Sequence, residues 1–327
     1  MRRRKFLSLV GGAAAAWSLA ANAQKQPIRL GFLASGTAGS ASGAVQIGAI
    51  KQGLGDNGLI EDRDYVLETR FAAGNYERFP EMARELAESG ARLILGLTIA
   101  SVRAAQNLTP PLPVVMLAIN DPVGTGLIAS LARPGGHTTG MATLNEDLTP
   151  KLLEIQHEVL PNAKTIAALF NPVNPTNPVF LANLRAVAGP MGMTVLPFAL
   201  TSPGELDSVF ATLAAQRPDM VQIVADSGII DLHDRIAALA LAHRLPSFAN
   251  LTNYARFGGL IAYGISLEAL FVRATYFVKR ILDGATPGDL PVEQPTKFEL
   301  AINLKTAATL GLGIPPTLLS RADEVIE

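Results

Sequence analysis

The chain is predicted to fold as two Rossmann-like α/β lobes, each a parallel sheet flanked by helices. Three observations carry this. Short apolar runs alternate with stretches of helical period. The runs are apolar on both sides, as strands covered by helices on both faces require. The rhythm then restarts near residue 165, giving two sets of β-α units in one chain. With 49% hydrophobic residues, about 300 residues suffice for two cores of ordinary domain size.

Residues 28–33 read as a first strand, and after a Gly/Ser loop a helix spans 44–57, stopped by Gly58. Residues 65–71 alternate like a strand. In 76–89, Phe79, Met82, Ala83 and Leu86 keep the three-and-four spacing of one helix face. Runs at 93–97, 114–117 and 139–143 complete the first set of strands. The second set has strands at 165–170, 194–198 and 220–224, helices at 178–191 and 203–215, and a long helix over 229–245. A strand at 260–263, a helix at 266–282 and a strand at 297–304 follow, the last after the Pro287-Gly288-Asp289-Leu290-Pro291 break.

Ahead of the lobes stands a leader. Arg2, Arg3, Arg4 and Lys5 precede an apolar run from Phe6 to Ala21, closing on Ala21-Asn22-Ala23. That is the pattern of a cleaved signal peptide, with Gln24 the expected first mature residue, and the run is too short for a membrane span. Arg3-Arg4-Lys5-Phe6-Leu7 further resembles a twin-arginine export signal. The expected location is the periplasm. Without the leader the chain holds 23 basic and 28 acidic residues, a net charge of −5, which argues against a nucleic-acid partner. Trp17, the single tryptophan, lies in the leader.

Motifs for chemistry are missing. The chain has no Cys for disulfides, thiolates or metal ligation. There is no Walker loop and no G-x-G-x-x-G opening the first helix, and Gly264-Ile265-Ser266-Leu267-Glu268 lacks the second glycine of a nucleophile elbow. His137, His157, His233 and His243 are scattered, and the neighbours His233 and Asp234 do not face each other on a helix. No enzyme, metal or cofactor is expected.

Polar residues instead gather at strand C-terminal ends, where open parallel sheets bind ligands. The first loop offers Ser35, Gly36 and Thr37. Thr98 and Ser101 open a helix, either capping it or helping its amides hold a carboxylate. Asn120 and Asp121 precede Pro122; the acid either receives a ligand ammonium or shapes its own turn. Asn171, Asn174 and Asn177 each precede a proline, Asp226 and Ser227 end a later strand, and Asn250, Tyr254 and Tyr263 lie near an expected crossing between lobes. Facing sets of mostly neutral polar loops suit small-molecule capture and not proton transfer. With no cluster of Arg or Lys in these loops, the ligand is expected to be a small zwitterion of the amino-acid type, apolar or aromatic.

The chain resembles, end to end, the ABC-transporter substrate-binding protein family with a type I periplasmic-binding fold. The resemblance rests on Gly31-Phe32-Leu33-Ala34-Ser35-Gly36, Asp121-Pro122-Val123, the run Gly126 to Gly136, Asn171-Pro172, Gly258-Gly259-Leu260, Gln294-Pro295-Thr296-Lys297-Phe298-Glu299-Leu300 and the tail from Ile314 to Ile326. It implies lobes that cross three times, near Leu144, Asn253 and Pro287, and closure of two such lobes requires only a monomer. One lobe is then 24–143 plus 254–286 and the other 144–253 plus 287–327, with the ligand between them. It also implies a membrane permease with its ATPase as partner; relatives include binders of tryptophan and other aromatic amino acids. A sensor docking on a receptor kinase and an exported enzyme of the same fold are the alternatives.

Overall fold

The computed structural model describes residues 26–143 and 148–327; the expected leader and the first expected crossing near Leu144 lie outside them. The first sheet has five parallel strands in the order β2-β1-β3-β4-β5: β1 Ile28–Ala34, β2 Tyr65–Phe71, β3 Leu93–Gly96, β4 Val114–Asn120 and β5 Thr138–Thr143. Helices α1 (Ala41–Asp56), α2 (Phe79–Glu88) and α3 (Ile99–Gln106) connect them. The predicted α2 face of Phe79, Met82, Ala83 and Leu86 is buried against the sheet.

The second sheet has seven strands in the order β12-β11-β10-β9-β8-β6-β7. Chain order supplies α4 (Thr149–Val159), β6 (Thr165–Phe170), α5 (Asn177–Ala188), β7 (Thr194–Ala199), α6 (Leu206–Gln216) and β8 (Met220–Ile223). There follow α7 (Ser227–Ile230), α8 (His233–Ala242), β9 (Ser247–Leu251), α9 (Asn253–Arg256) and β10 (Ile261–Ile265). The long α10 (Leu267–Leu282) packs on α1 of the first lobe, and β11 (Glu299–Asn303), α11 (Leu304–Leu310), α12 (Pro316–Leu319) and β12 (Glu324–Ile326) end the chain. Each sheet is covered on both faces by buried apolar clusters, as the two-sided runs require.

Four expectations are corrected. The predicted helix 229–245 is two helices, α7 and α8, turning at Asp231-Leu232, where the Leu232 amide donates to Ile229 O. That turn lets Ile230 face the cleft while Ile236 enters the lobe core. The strand expected with the first lobe, β10, pairs parallel with β9 in the second sheet. The short α9 folds back because Gly259 lies under the Tyr254 ring, where a Cβ would come within 2.1 Å of a ring carbon. Passage to the first lobe therefore falls at Ser266, which caps α10 by accepting from the Ala269 amide at 3.2 Å. The third crossing is likewise later than Pro287, because Leu290 O accepts from Thr139 Oγ1 at 2.8 Å and Glu293 bridges to Met141 on the edge of the first sheet. Finally, β11 runs antiparallel to β10. A chain that re-enters the second lobe from the cleft side has to run away from the cleft, against the strand that ran toward it.

Candidate functional site: a cleft between the lobes

The C-terminal ends of both sheets face one cavity of about 310 Å³. Its lining is mostly apolar and comes from both lobes: Leu97, Ile99, Ala118 and Ile119 on one side, Val173, Pro175, Ala225 and Ile230 on the other, with Leu251, Ile265 and Leu267 at the junction. The polar lining is sparse: Tyr76, Thr98, Arg103, Asn120, Thr143, Asn174, Asp226 and Ser227. An apolar space with a few placed polar groups is the ordinary form of a small-molecule site.

The second-lobe wall is organised by Asp226, a buried residue that caps α7. Its Oδ1 accepts from Asn171 Nδ2 at 3.0 Å and the Gly228 amide at 2.9 Å, and its Oδ2 accepts from Asn174 Nδ2 at 2.9 Å. Asn177 Nδ2 in turn donates to Asn171 O at 3.1 Å. The Asn-Pro loop and the strand end thus form one hydrogen-bonded unit. Across the cleft, Tyr76 Oη reaches Asp226 Oδ1 at 3.5 Å, and burial together with Asp226 and Asp231 raises the Tyr76 hydroxyl pKa well above its usual range.

The first-lobe wall is the start of α3. Thr98 Oγ1 accepts from the Ser101 amide and Ser101 Oγ accepts from the Thr98 amide, both at 2.9 Å, a reciprocal capping box. Ser101 Oγ also donates to Thr98 O at 2.9 Å, so both of its roles are filled within the turn. The lobes also meet at Gly36, where a Cβ would stand 2.1 Å from Asp231 Oδ2. Asp231 lacks a well-formed hydrogen-bond partner; burial raises its pKa to about 6, with nearby Ser42 pulling it down and Asp226 adding to the rise.

Of the residues singled out in the sequence, Thr98, Asn120, Asn174, Asp226 and Ser227 line the cavity together. Asn171 and Asn177 stand behind them as supports. Ser35 is buried with its Oγ unpaired, Gly36 is at the lobe contact and Thr37 at the surface, all outside the lining, and Ser101 is buried behind Thr98. Asp121 shapes its own turn, with φ 42° and Oδ1 accepting from the Gly124 amide at 2.8 Å. Asn250 is buried away from the cavity, with neither side-chain polar atom paired. The aromatic candidates are corrected outright. Tyr254 is fully buried in the second-lobe core, its ring 5.0 Å from that of His233, and Tyr263 packs on that lobe's other core face.

Sequence reasoning missed Tyr76, Arg103, Thr143 and the apolar lining. Tyr76 was open to the same strand-end rule, since it follows β2 by five residues. Arg103 lies in the helix that Thr98 and Ser101 open and is the one basic residue among the described lining residues. His233 is buried against Tyr254 and Phe257, and burial lowers its pKa to about 3, so it stays neutral as a packed core residue. No described group of three or more His, Cys, Asp or Glu could hold a metal, and no described helix is long and apolar enough to cross a membrane.

Two doubly wound lobes closing on an apolar cavity define a bilobal binding protein of the type I periplasmic-binding fold. The family model described as ABC transporter substrate binding protein matches residues 40–326, and the chain belongs to that family. It is 26% identical over 260 residues to a tyrosine-binding protein of Clostridioides difficile strain R20291, covering 79% of this chain and 74% of that one. Among solved structures it is similar to an ABC domain from Streptococcus pneumoniae in complex with L-Trp (27% identity, TM-score 0.82, 92% of this chain and 100% of that chain). A conserved domain protein of Vibrio cholerae shares the fold at TM-score 0.84 and 23% identity, with 92% and 100% of the two chains covered.

Proposed function

We propose that the protein is the solute-capturing component of an ABC importer, working in the periplasm on an amino-acid-like ligand that is apolar or aromatic. The observation that carries this reading is the interlobe cavity, apolar over most of its lining with a few polar groups from both lobes. The printed names of the tyrosine-binding relative and the L-Trp complex support the ligand class. Capture works by lobe closure about the crossings between the lobes, which among the described residues fall at Ser266 and between Glu293 and Glu299. The ligand biases an open–closed equilibrium because it touches both walls only in the closed form. The permease then recognises that form.

A thermal-shift screen of amino acids, aromatic acids, sugars and purines tests the ligand class. A molecule that binds only the folded state raises stability by about 2.7 kcal/mol at a hundredfold excess over its Kd. Amino acids or aromatic acids are expected to shift the melt; a shift by sugars or nucleosides alone would overturn the ligand class. Export is tested by replacing Arg3 and Arg4 with Lys, which strands precursor in the cytoplasm if the twin-arginine receptor reads the pair and not charge alone. Loss of ligand uptake in cells lacking the protein tests the importer role.

A further inference from the structure

On α3, Ile99, Ala100 and Arg103 all line the cavity, because residues three and four apart on a helix share a face. The capping box uses the Thr98 and Ser101 amides. The first-turn amides of Ile99 and Ala100 have no intrahelical partner, and both residues line the cavity. Arg103 donates from Nη2 to Thr125 O at 2.6 Å and forms no ion pair among the described residues. A guanidinium carries five donors in a planar fork. One is tethered to a carbonyl, which holds the group at the cavity, and the remainder of the fork is open.

The opposite wall is different. Asp226 already accepts from two Asn side chains and the Gly228 amide. Its charge is spread over neutral donors, whereas the charge on Arg103 has one backbone acceptor. We propose that Arg103 is the carboxylate-selecting residue of this cleft: its guanidinium and the Ile99 and Ala100 amides form an anion pole that takes the acid group of an apolar or aromatic carboxylate. This rests on the cleft being a site for amino-acid-like molecules, and sharpens it. The acid group is read by charge, and the ammonium has no counterpart as open. Arylalkyl acids without an ammonium therefore bind as well.

The experiment titrates the purified protein with L-phenylalanine, 3-phenylpropionate, L-phenylalaninamide and phenylethylamine, using wild type, Arg103→Gln and Arg103→Lys. Wild type is expected to prefer the two acids over the amide and the amine. Arg103→Gln is expected to weaken both acids by about ten- to a hundredfold, the range for a hydrogen bond to a charged group, and to leave the amide unchanged. Arg103→Lys keeps the charge without the fork and falls between. An apo melting temperature equal to wild type shows that the loss is not one of folding; the exposed Arg103 side chain makes that the expected result. If L-phenylalanine binds and Arg103→Gln leaves its affinity intact, the anion pole is overturned and the amino-acid reading survives. Acids that bind through Arg103 with or without an ammonium uphold the pole and remove the zwitterion requirement. Binding of sugars or nucleosides alone overturns both.

Discussion

The two walls of the cleft are built on opposite principles. On the second-lobe wall, Asp226, Asn171, Asn174 and Asn177 spend their hydrogen bonds on one another and on the start of α7. On the first-lobe wall, the side chains of Thr98 and Ser101 each accept from the other's backbone amide, but Arg103 stands open beside them. A polar residue in a binding cleft is therefore not by itself a ligand contact. Its remaining hydrogen-bonding capacity decides, because a group already satisfied gains little from a ligand and costs much when removed.

The largest expected effect tests the closed network. Asp226→Ala removes the cap of α7 and leaves the buried Asn171 amide and the half-buried Asn174 amide without their acceptor; a loss of about 2–4 kcal/mol in apo stability is expected, measured by urea unfolding. Unchanged apo stability with lost affinity would make the second-lobe wall a ligand-contact surface and break the comparison.

The lobe contact comes next. Gly36→Ala places a methyl 2.1 Å from Asp231 Oδ2 where the lobes meet. Ligand affinity is expected to fall about tenfold, or ~1.4 kcal/mol, and Asp231→Ala on the same background is expected to restore it. Failure of the second change to rescue would place the damage within the first-lobe loop.

Asp231 also gives a pH dependence. Its pKa is raised from 3.8 to about 6, chiefly by burial, so between those values the native state holds a proton that unfolding releases. That contribution strengthens as pH falls through 6 and is complete below about pH 4. His233 opposes it, since a pKa lowered from 6.5 to about 3 by burial makes stability fall as pH drops below 6.5. Comparing wild type with Asp231→Asn removes the histidine contribution. The variant is expected to be about 1 kcal/mol more stable at neutral pH, the value discounted for partial solvent screening, and the difference is expected to close as pH approaches 4.

The smallest effect concerns Ser101. Ser101→Ala removes half of the capping box and is expected to lower apo stability by about 0.5–1 kcal/mol without changing affinity. An affinity loss at equal apo stability would return Ser101 to the ligand site.

The sequence by itself determined that there are two sheets, most of their strands though not β9 or β12, and the rule that ligands meet strand C-terminal ends. Those follow from local period and composition: β6, with Ile166, Ala167, Ala168 and Leu169 all buried, reads as a two-sided strand without knowledge of its neighbours. Five candidate residues reached the cavity on the same logic. Only the tertiary structure decided where the chain crosses. A strand such as β10 carries no mark of the sheet it joins; it pairs with β9 after a turn in which Tyr254 packs over Gly259. Nor could spacing show which polar groups were already satisfied. Asp226 meets its Asn partners 52 and 55 residues away, whereas Arg103 was left with a single carbonyl, a difference set by contacts between strand ends distant in the chain.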